Sequence, residues 1–558
     1  MRGFFLFVLL STAVVASGAT YPERSRRGMV VTQERHASHS GLSVLKAGGS
    51  AVDAAVATAF VLAVTHPAAG NIGGGGFLLH RSHEGRAVAY DFRETAPSQA
   101  SPTMFLNAGQ YDPIRHHSSH VAVGVPGTVA GLHLAWSQHG KLPWKSLVAP
   151  AIRLAKAGFV ISPSLADSLA RELPAMQAYP ASLNQFSKSG KPYIAGEILR
   201  QTDLARSLER IAARGPKGFY EGETASLIIK EMERGGGIMT MADLRNYRAK
   251  ARVPLSGSYR GHEILSMPPP SSGGVAIIES LNILEGWEFG PQDFGSARAI
   301  HQMAEALRRA FCDRAQFIGD PDSNPGMPIQ TLISKDHATT LRHSISQAKA
   351  SISSPATFVW SNESPQTTHV SIVDEEGNAV ALTYTLEDSY GSRIVVPGAG
   401  FMLNNEMGDF NAEPGRTDSA GLIGTPPNLA APNKRMLSSM SPTIVTKNGK
   451  LLLVTGSPGG RTIISTVLQT IMNTVDFAMN AQQAVDAPRF HHQWLPDQIA
   501  YESNGFSPDT LRILETMGHK TKEVRSQGAA QIIRVDPHSG WLEGASDRRD
   551  PDSAARGW

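Results

Sequence analysis

The tetrad Gln366-Thr367-Thr368-His369 places hydroxyl groups where a loose segment meets a predicted strand. The preceding residues 347–366 are rich in serine and contain two prolines. A threonine hydroxyl is a weak nucleophile at its own pKa, but the free α-amine of an N-terminal threonine can act as its base. Self-cleavage before Thr367 would create that pair. Threonine is also an ordinary strand residue, so the tetrad alone leaves both interpretations open.

A threonine that transfers acyl groups also needs N–H donors for the oxyanion and a group that orients its hydroxyl. Gly459 and Gly460 follow a predicted strand at residues 451–455, and consecutive glycines can turn their N–H groups towards a developing negative charge. Thr385 lies on the second strand of a predicted hairpin and could orient a neighbouring hydroxyl. The alternatives are an ordinary turn and an ordinary strand residue.

Three further places carry groups suited to a charged substrate. Glu406 and Asp409 are two carboxylates that can hold an ammonium group. Arg93, in the segment DFRE, can bind a carboxylate through two parallel hydrogen bonds, and Ser438 and Ser439 offer paired hydroxyl donors. The alternatives are a solvated turn for the acids, a structural ion pair for Arg93 and a plain loop for the serines.

Other chemistries have weaker support. Histidines cluster at residues 116–120 and 491–492, but neither group has the spacing of a strong metal motif. The single cysteine, Cys312, excludes an intrachain disulfide and a CxxC site, and a buried inert thiol is its expected role. The glycine run NIGGGGF at residues 71–77 lacks the Lys-Ser/Thr of a P-loop, so it predicts a tight turn with close backbone approach. We therefore predict neither a metal nor a cofactor.

The N-terminus predicts export. Residues 1–19 combine Arg2, an apolar run and small residues at 17–19, which is the order of a secretory signal peptide. An uncleaved anchor is the alternative; otherwise we expect a periplasmic or secreted protein without a membrane span after signal removal. The chain of 558 residues has 41% hydrophobic residues, 18% charged residues and a net charge of +3. That composition excludes a disordered chain and argues against an overall nucleic-acid footprint.

The elements that must position these groups mix helices and strands without strict alternation. Residues 51–64 predict a buried helix, residues 296–318 an amphipathic helix and residues 463–475 a helix packed on a sheet. Residues 368–373 and 379–386, joined by DEEGN, predict a β-hairpin. This mixture favours an α+β fold over a doubly wound sheet.

Longer stretches of the chain resemble the γ-glutamyltranspeptidase family. The segments QTTHVSIVD, GNAVALTYTL, GSRIVVPGAGFMLNNEMGDF, PNKRMLSSMSPTIV, VTGSPGG and APRFHHQWLPD follow one another in family order. Upstream, NIGGGGF, DFRETAP and GVPGTVAGL match the same family. The resemblance runs from about the end of the predicted signal peptide to residues 544–547, and several long motifs in one order make it highly specific.

The resemblance implies an Ntn-hydrolase fold, a four-layer αββα sandwich, in a precursor that cleaves itself between Gln366 and Thr367. The products would be a large subunit of residues 20–366 and a small subunit of residues 367–558, associated as a heterodimer. Thr367 would be the nucleophile in cleavage and in catalysis, and Thr385 would orient it. The N–H groups of Gly459 and Gly460 would form the oxyanion hole.

The resemblance also implies the substrates. The donor would be glutathione or another γ-glutamyl compound, and the acceptor an amino acid, a peptide or water. Arg93, Ser438 and Ser439 would hold the α-carboxylate of the donor, and Glu406 and Asp409 its α-ammonium. Opposite charges at the zwitterionic end would leave the γ-carbonyl to meet the nucleophile.

Two positions depart from the commonest family pattern. Glu387 stands where many members have asparagine beside the substrate amine, and a carboxylate there still favours an ammonium. Ala420 occupies the place of an aromatic residue in a lid segment at residues 411–432, so we expect a looser lid and a larger share of hydrolysis. An Ala420→Tyr variant with an unchanged product ratio would contradict this expectation.

Three other functions remain open to the sequence. An acylase for glutaryl-type side chains has a substrate without the α-ammonium, which the acidic residues argue against. An enzyme that processes poly-γ-glutamate needs an open groove, which the lid segment argues against. An inactive binding protein would not need the complete set of Thr367, Thr385, Gly459 and Gly460.

Overall fold

The computed structural model describes residues 20–354, 367–416 and 424–558. The predicted signal peptide, Gln366 and Ala420 therefore lie outside the described residues, and the predictions made for them stay predictions. The helices within these ranges are α1 (Arg35–Lys46), α2 (Ala51–Thr65), α3 (Pro113–His117), α4 (Thr128–His139), α5 (Trp144–Ala157), α6 (Pro163–Met176), α7 (Pro180–Phe186), α8 (Thr202–Arg214), α9 (Lys217–Tyr220), α10 (Gly222–Gly235), α11 (Met241–Asn246), α12 (Gly273–Leu284), α13 (Ala297–Phe317), α14 (Ile329–Leu332), α15 (Lys335–His343), α16 (Thr462–Val475), α17 (Ala481–Asp486) and α18 (Pro508–Thr516).

The strands form two large sheets and three small ones. The strands are β1 (Glu23–Ser25), β2 (Met29–Thr32), β3 (Gly75–Arg81), β4 (Ala87–Phe92), β5 (Leu106–Asn107), β6 (Gln110–Tyr111), β7 (Phe159–Val160), β8 (Ile198–Leu199), β9 (Lys250–Arg252), β10 (Leu255–Tyr259), β11 (His262–Ser266), β12 (Thr368–Val373), β13 (Ala379–Thr385), β14 (Thr443–Lys447), β15 (Lys450–Thr455), β16 (Phe490–His491), β17 (Ile499–Glu502), β18 (Thr521–Val524), β19 (Gln531–Val535), β20 (Leu542–Ser546) and β21 (Ala554–Gly557). One large sheet has the order β21-β2-β12-β13-β3-β4-β9, and the other has the order β1-β20-β19-β15-β14-β11-β10.

The two large sheets pack face to face, and helices cover their outer faces. Helices α1, α2 and α4 contact the sheet that contains β12, while α12, α16 and α17 contact the sheet that contains β15. Side chains such as Val31, Phe77 and Leu453 form one buried cluster between the sheets. The chain is therefore the four-layer αββα sandwich that the resemblance implied, within the α+β class.

The predicted hairpin lies in the centre of its sheet. β12 and β13 pair in antiparallel register with Thr368 opposite Tyr384, and β2 and β3 flank them. Every residue of both strands is buried. Extending the register by one residue places Thr367 opposite Thr385, so the fold brings the two predicted hydroxyls to adjacent strand ends.

The predicted helices are confirmed with small shifts at their ends. α2 begins with a capping box between Ser50 and Asp53, is buried on all sides and ends two residues before Pro67. α13 and α16 match the predictions for residues 296–318 and 463–475 to within one residue. Among the helices of the described residues, none has both the length and the apolar character needed to cross a membrane.

Candidate active site

A single small cavity gathers nine of the predicted site residues from distant parts of the chain. Its volume is about 20 Å³, which is room for one water molecule, so a larger ligand requires side chains to move. The predicted neighbour Gly459 adjoins the cavity without lining it. The lining residues are Arg93, Thr367, Thr385, Glu387, Glu406, Asp409, Ser438, Ser439, Met440, Gly460 and Ile463.

The threonine pair lies at the adjacent strand ends of the β12–β13 hairpin. Thr367 and Thr385 are both buried, and the Thr385 hydroxyl accepts a hydrogen bond of 2.9 Å from the N–H of Glu387. The Thr385 carbonyl accepts from the Asn71 amide at 2.8 Å. These two bonds fix the end of β13, so the hydroxyl that faces Thr367 has a defined position.

The glycine run that contains Asn71 is the predicted close approach of backbones. A Cβ on Gly74 would lie 2.0 Å from the Thr385 carbonyl oxygen, and a Cβ on Gly73 would lie 2.1 Å from the Met402 carbonyl oxygen. Neither clash leaves room for a side chain. The run therefore positions the end of β13 and does not form a phosphate cradle.

The loop before α16 supplies the predicted oxyanion donors. Gly459 and Gly460 have φ angles of 134° and 54°, which glycine adopts at low cost. Within the described ranges, the N–H of neither residue donates a hydrogen bond. Because the N-terminus of α16 follows directly, its positive dipole end also faces this loop. The loop has the donors and the field that a developing oxyanion requires.

Arg93 is completely buried and is engaged by acids from the same pocket. Its guanidinium forms ion pairs with Glu406, Asp409 and, at 3.5 Å, Glu94. It also donates to the carbonyls of Met436 and Leu437. Burial alone would lower the pKa of Arg93, but the neighbouring carboxylates hold it above its ordinary value. Burial raises the pKa of the Glu406 carboxyl well above its usual range, against the opposing charge of Arg93. The hydrogen bonds of Arg93 to Glu406, Asp409, Met436 and Leu437 use four of its five guanidinium N–H groups in the ligand-free pocket.

Two more buried acids surround this ion-pair cluster. Both carboxylate oxygens of Glu387 and both of Glu94 have no hydrogen-bond partner. Burial raises the pKa of Glu94 to about 8, and burial with the nearby acids raises the pKa of Glu387 well above its ordinary value. The pocket thus holds more acids than its one guanidinium can balance, which favours a ligand that carries a positive charge.

The serine pair is positioned by a loop and by a buried arginine. The N–H of Ser272 donates to the Ser438 carbonyl at 2.7 Å, and the Ser438 hydroxyl accepts from the N–H of Met440 at 3.1 Å. Nη2 of Arg314 donates to the Ser439 hydroxyl at 3.0 Å, and its Nε donates to the Ser272 hydroxyl at 2.5 Å. Arg314 therefore ties α13 to the segment that lines the pocket.

The histidine clusters do not converge on a common point. His116 contacts the Tyr111 hydroxyl at 3.1 Å, His117 lies 3.3 Å from Glu387, and His120 lies 2.9 Å from Glu231. His492 lies 3.3 Å from Asp497. Each imidazole has its own partner. Cys312 lies half-buried on α13, and burial raises its pKa to about 12, as expected for an inert thiol.

Four neighbours of the site were not indicated by the sequence patterns: Glu94, Arg314, Met440 and Ile463. Glu94 adjoins Arg93 and Met440 adjoins Ser439, so adjacency in sequence was the available signal for both. Ile463 opens α16 after the glycine pair. Nothing in the local sequence of Arg314 indicates that it reaches Ser439.

Comparison with known proteins places this chain in a family. Residues 37–557 match the family model described as gamma-glutamyltranspeptidase. The chain is 48% identical over 545 residues to the glutathione hydrolase proenzyme of Escherichia coli (strain K12). The aligned region covers 96% of this chain and 93% of that protein.

Two solved structures extend the comparison. A cephalosporin acylase from Bacillus halodurans has a TM-score of 0.86 at 28% identity and covers 99% of both chains. A gamma-glutamyltranspeptidase from Helicobacter pylori has a TM-score of 0.56 at 42% identity and covers 57% of this chain and 91% of that chain. With the family model spanning nearly the whole sequence, the chain belongs to the gamma-glutamyltranspeptidase family.

Proposed function

We propose that the chain is a proenzyme that cleaves itself between Gln366 and Thr367 and then acts as a γ-glutamyltranspeptidase and glutathione hydrolase. The observation that carries the proposal is the placement of Thr367 opposite Thr385 in a pocket that holds both an arginine and several acids. The residues before the cleavage point form the large subunit, and residues 367–558 form the small subunit.

Cleavage requires Thr367 to attack its own preceding bond. Its hydroxyl oxygen adds to the Gln366 carbonyl, the C–N bond breaks, and the acyl group moves from nitrogen to oxygen. Water then hydrolyses the ester, which leaves a carboxylate on Gln366 and a free α-amine on Thr367. That amine is the base that the threonine hydroxyl needs.

The mature enzyme repeats the acyl transfer on a substrate. The Thr367 hydroxyl loses its proton to the α-amine as its oxygen attacks the γ-carbonyl of the donor. The N–H groups of Gly459 and Gly460 stabilise the oxyanion. The intermediate collapses, the amine of the donor leaves with the proton, and a γ-glutamyl ester remains on Thr367. Water then gives hydrolysis, and an amino acid or peptide amine gives transpeptidation.

The zwitterionic end of the donor selects the substrate class. Its α-ammonium suits Glu406, Asp409 and Glu387, and its α-carboxylate suits the serine pair and Arg93. Arg93 is paired with Glu406 and Asp409 in the ligand-free pocket. When the donor binds, its α-ammonium pairs with the acids and its α-carboxylate pairs with Arg93. Each acid then keeps a positive partner, and the guanidinium keeps a negative one.

An acylase for glutaryl-type side chains is the second candidate, because the cephalosporin acylase structure covers the whole chain with a TM-score of 0.86. A glutaryl group has a carboxylate but no ammonium. It would leave three acids of the pocket facing one guanidinium without a second cation, which is unfavourable in a buried site. The acids therefore favour the γ-glutamyl donor.

We further propose a cellular location, a subunit composition and a class of ligand for the enzyme. Residues 1–19 direct export and are removed, and the protein is periplasmic or secreted. The two subunits form a heterodimer, and the ligands are small molecules. No cofactor takes part in the proposed steps.

The decisive experiment compares intact masses under denaturing conditions for wild type, Thr367→Ala and Thr368→Ala. We expect two chains in the wild type, the smaller beginning at Thr367, and a single chain in Thr367→Ala. Thr368→Ala is the matched control, because it removes a neighbouring buried hydroxyl and should still be cleaved. A wild type that stays one chain after long incubation would refute the proposal.

A chromogenic donor assay then separates the candidate functions. We expect turnover of a γ-glutamyl anilide to exceed that of the matching glutaryl anilide. The reverse order would favour the acylase, and no turnover of either by a processed enzyme would favour a binding protein.

A further inference from the structure

A second cluster of ionisable side chains lies outside the catalytic pocket. Glu279 on α12, Asp313 on α13 and His337 on α15 each offer one ligand atom, and these atoms all lie within 4.8 Å of one another. Nε2 of His337 is 2.7 Å from Oδ2 of Asp313 and 4.0 Å from Oε1 of Glu279. Three helices of one outer layer therefore meet at a nitrogen and two carboxylates.

Glu279 is the side chain that distinguishes this cluster from a surface group of acids. Its side chain is 0% exposed, and neither carboxylate oxygen has a hydrogen-bond partner. Among the described residues, His337 is the sole ion-pair partner of both Glu279 and Asp313. Buried carboxylates are normally paired, hydrogen-bonded or bound to a metal, and here two carboxylates share a single imidazole.

The two carboxylates of the cluster adjoin each other. The ligand atoms of Glu279 and Asp313 lie within 4.8 Å of one another, so two like charges would meet at this point. A divalent cation at this point would neutralise both carboxylates.

We propose that Glu279, Asp313 and His337 form a binding site for a zinc ion. Zinc accepts imidazole nitrogen and carboxylate oxygen at four-coordinate sites, and three protein ligands leave the fourth position to water. The His337 side chain is 24% exposed and the Asp313 side chain 15% exposed, which gives the ion and its water a path from solvent. Tetrahedral zinc with bonds of about 2.0–2.1 Å holds its ligand atoms about 3.3 Å apart. Binding therefore requires Glu279 to move closer to His337 than 4.0 Å and the 2.7 Å contact between His337 and Asp313 to lengthen.

The proposed ion would join neighbouring helices at a place separate from the reaction chemistry. Asp313 precedes Arg314, which donates to Ser439 and Ser272. Ser272 directly precedes α12, the helix that carries Glu279. Zinc would therefore link α12 to α13, the two helices that position the segment containing Ser438 and Ser439.

The test uses tag-free, processed enzyme that has been treated with a chelator and desalted. Zinc binding is measured by equilibrium dialysis with metal analysis, and stability by thermal unfolding with and without zinc. We expect one zinc ion per heterodimer and a higher Tm when zinc is bound. Glu279→Gln and His337→Gln should each weaken binding at least about tenfold and abolish the zinc-dependent rise in Tm.

Two variants outside the proposed ligand set serve as controls for zinc binding. His343→Gln changes an exposed histidine at the end of α15, and Cys312→Ser removes the only thiol; both should bind zinc like the wild type. Without metal, Glu279→Gln should unfold at or above the wild-type Tm, because it removes an unpaired buried acid. If Glu279→Gln fails to fold, Asp313→Asn takes its place.

The proposal is overturned by either of two results. One is the absence of stoichiometric zinc in the wild type. The other is equal zinc affinity in the wild type, Glu279→Gln and His337→Gln. In both cases Glu279 is a protonated acid held against Asp313, and the helices are joined without a metal.

Discussion

Replacing Arg93 with methionine would remove the one guanidinium that balances the acids of the pocket. Arg93 is fully buried and pairs with Glu406 and Asp409, whose side chains are 0% and 10% exposed. Methionine keeps much of the volume but leaves both acids without their cation. Removing one partner of a buried ion pair costs about 3–5 kcal/mol of folding free energy.

That cost translates into a measurable shift in Tm. Unfolding entropy is about 2.1 cal/mol/K per residue, which gives roughly 1.2 kcal/mol/K for a chain of this length. The expected decrease in Tm is therefore about 3–4 °C. The comparison is best made in a Thr367→Ala background at one scan rate, so that both proteins have the same covalent state.

The decrease should depend on pH in a defined direction. Burial already raises the pKa of Glu406 in the folded state, and loss of Arg93 raises it further. An acid with a raised folded pKa supports stability below its unfolded pKa and loses that support as the pH rises towards the folded pKa. The Tm deficit of Arg93→Met should therefore be larger at pH 8 than at pH 5.

Arg93→Lys is the matched control, because it keeps the charge and loses the planar fork. Its deficit should be smaller than that of Arg93→Met. A methionine variant as stable as its parent at pH 8 would refute the argument, because the two acids would then not depend on the guanidinium.

Two further predictions concern the substrate and the oxyanion. In the proposed site, Glu387→Gln would replace a charged hydrogen bond to the substrate ammonium with a neutral one, a difference of about 1.4 kcal/mol. The KM of a γ-glutamyl donor should therefore rise about tenfold with little change in kcat, and an unchanged KM would remove Glu387 from the ammonium site. Gly459→Ala places a Cβ 2.5 Å from Oγ1 of Thr462 at a φ of 134° and should lower kcat by about 10²–10³-fold. Gly449→Ala has a φ of 74° and open space around its Cβ, and an equal loss of kcat there would contradict the oxyanion assignment.

The sequence alone determined the local elements and the order of the motifs. Apolar continuity predicted α2, and the turn sequence DEEGN between two strand-like runs predicted the β12–β13 hairpin. Pro67 indicated where the first buried helix must end. These features depend on side chains within a few positions of one another, which a sequence displays directly. The four layers came from family resemblance, since periodicity does not specify how sheets stack.

The sequence also named the residue types of the pocket, but only the tertiary structure decided their partners. Arg93 meets Glu406 and Asp409 across more than 300 positions of chain, and Arg314 meets Ser439 across 125. The buried carboxylates of Glu94 and Glu279, whose oxygens have no hydrogen-bond partner, are likewise visible only after packing. The burial of each charged group depends on distant segments of the chain that pack together, and burial in turn sets how strongly the charges in the site interact. The sequence contains no distances, so it could not give either quantity.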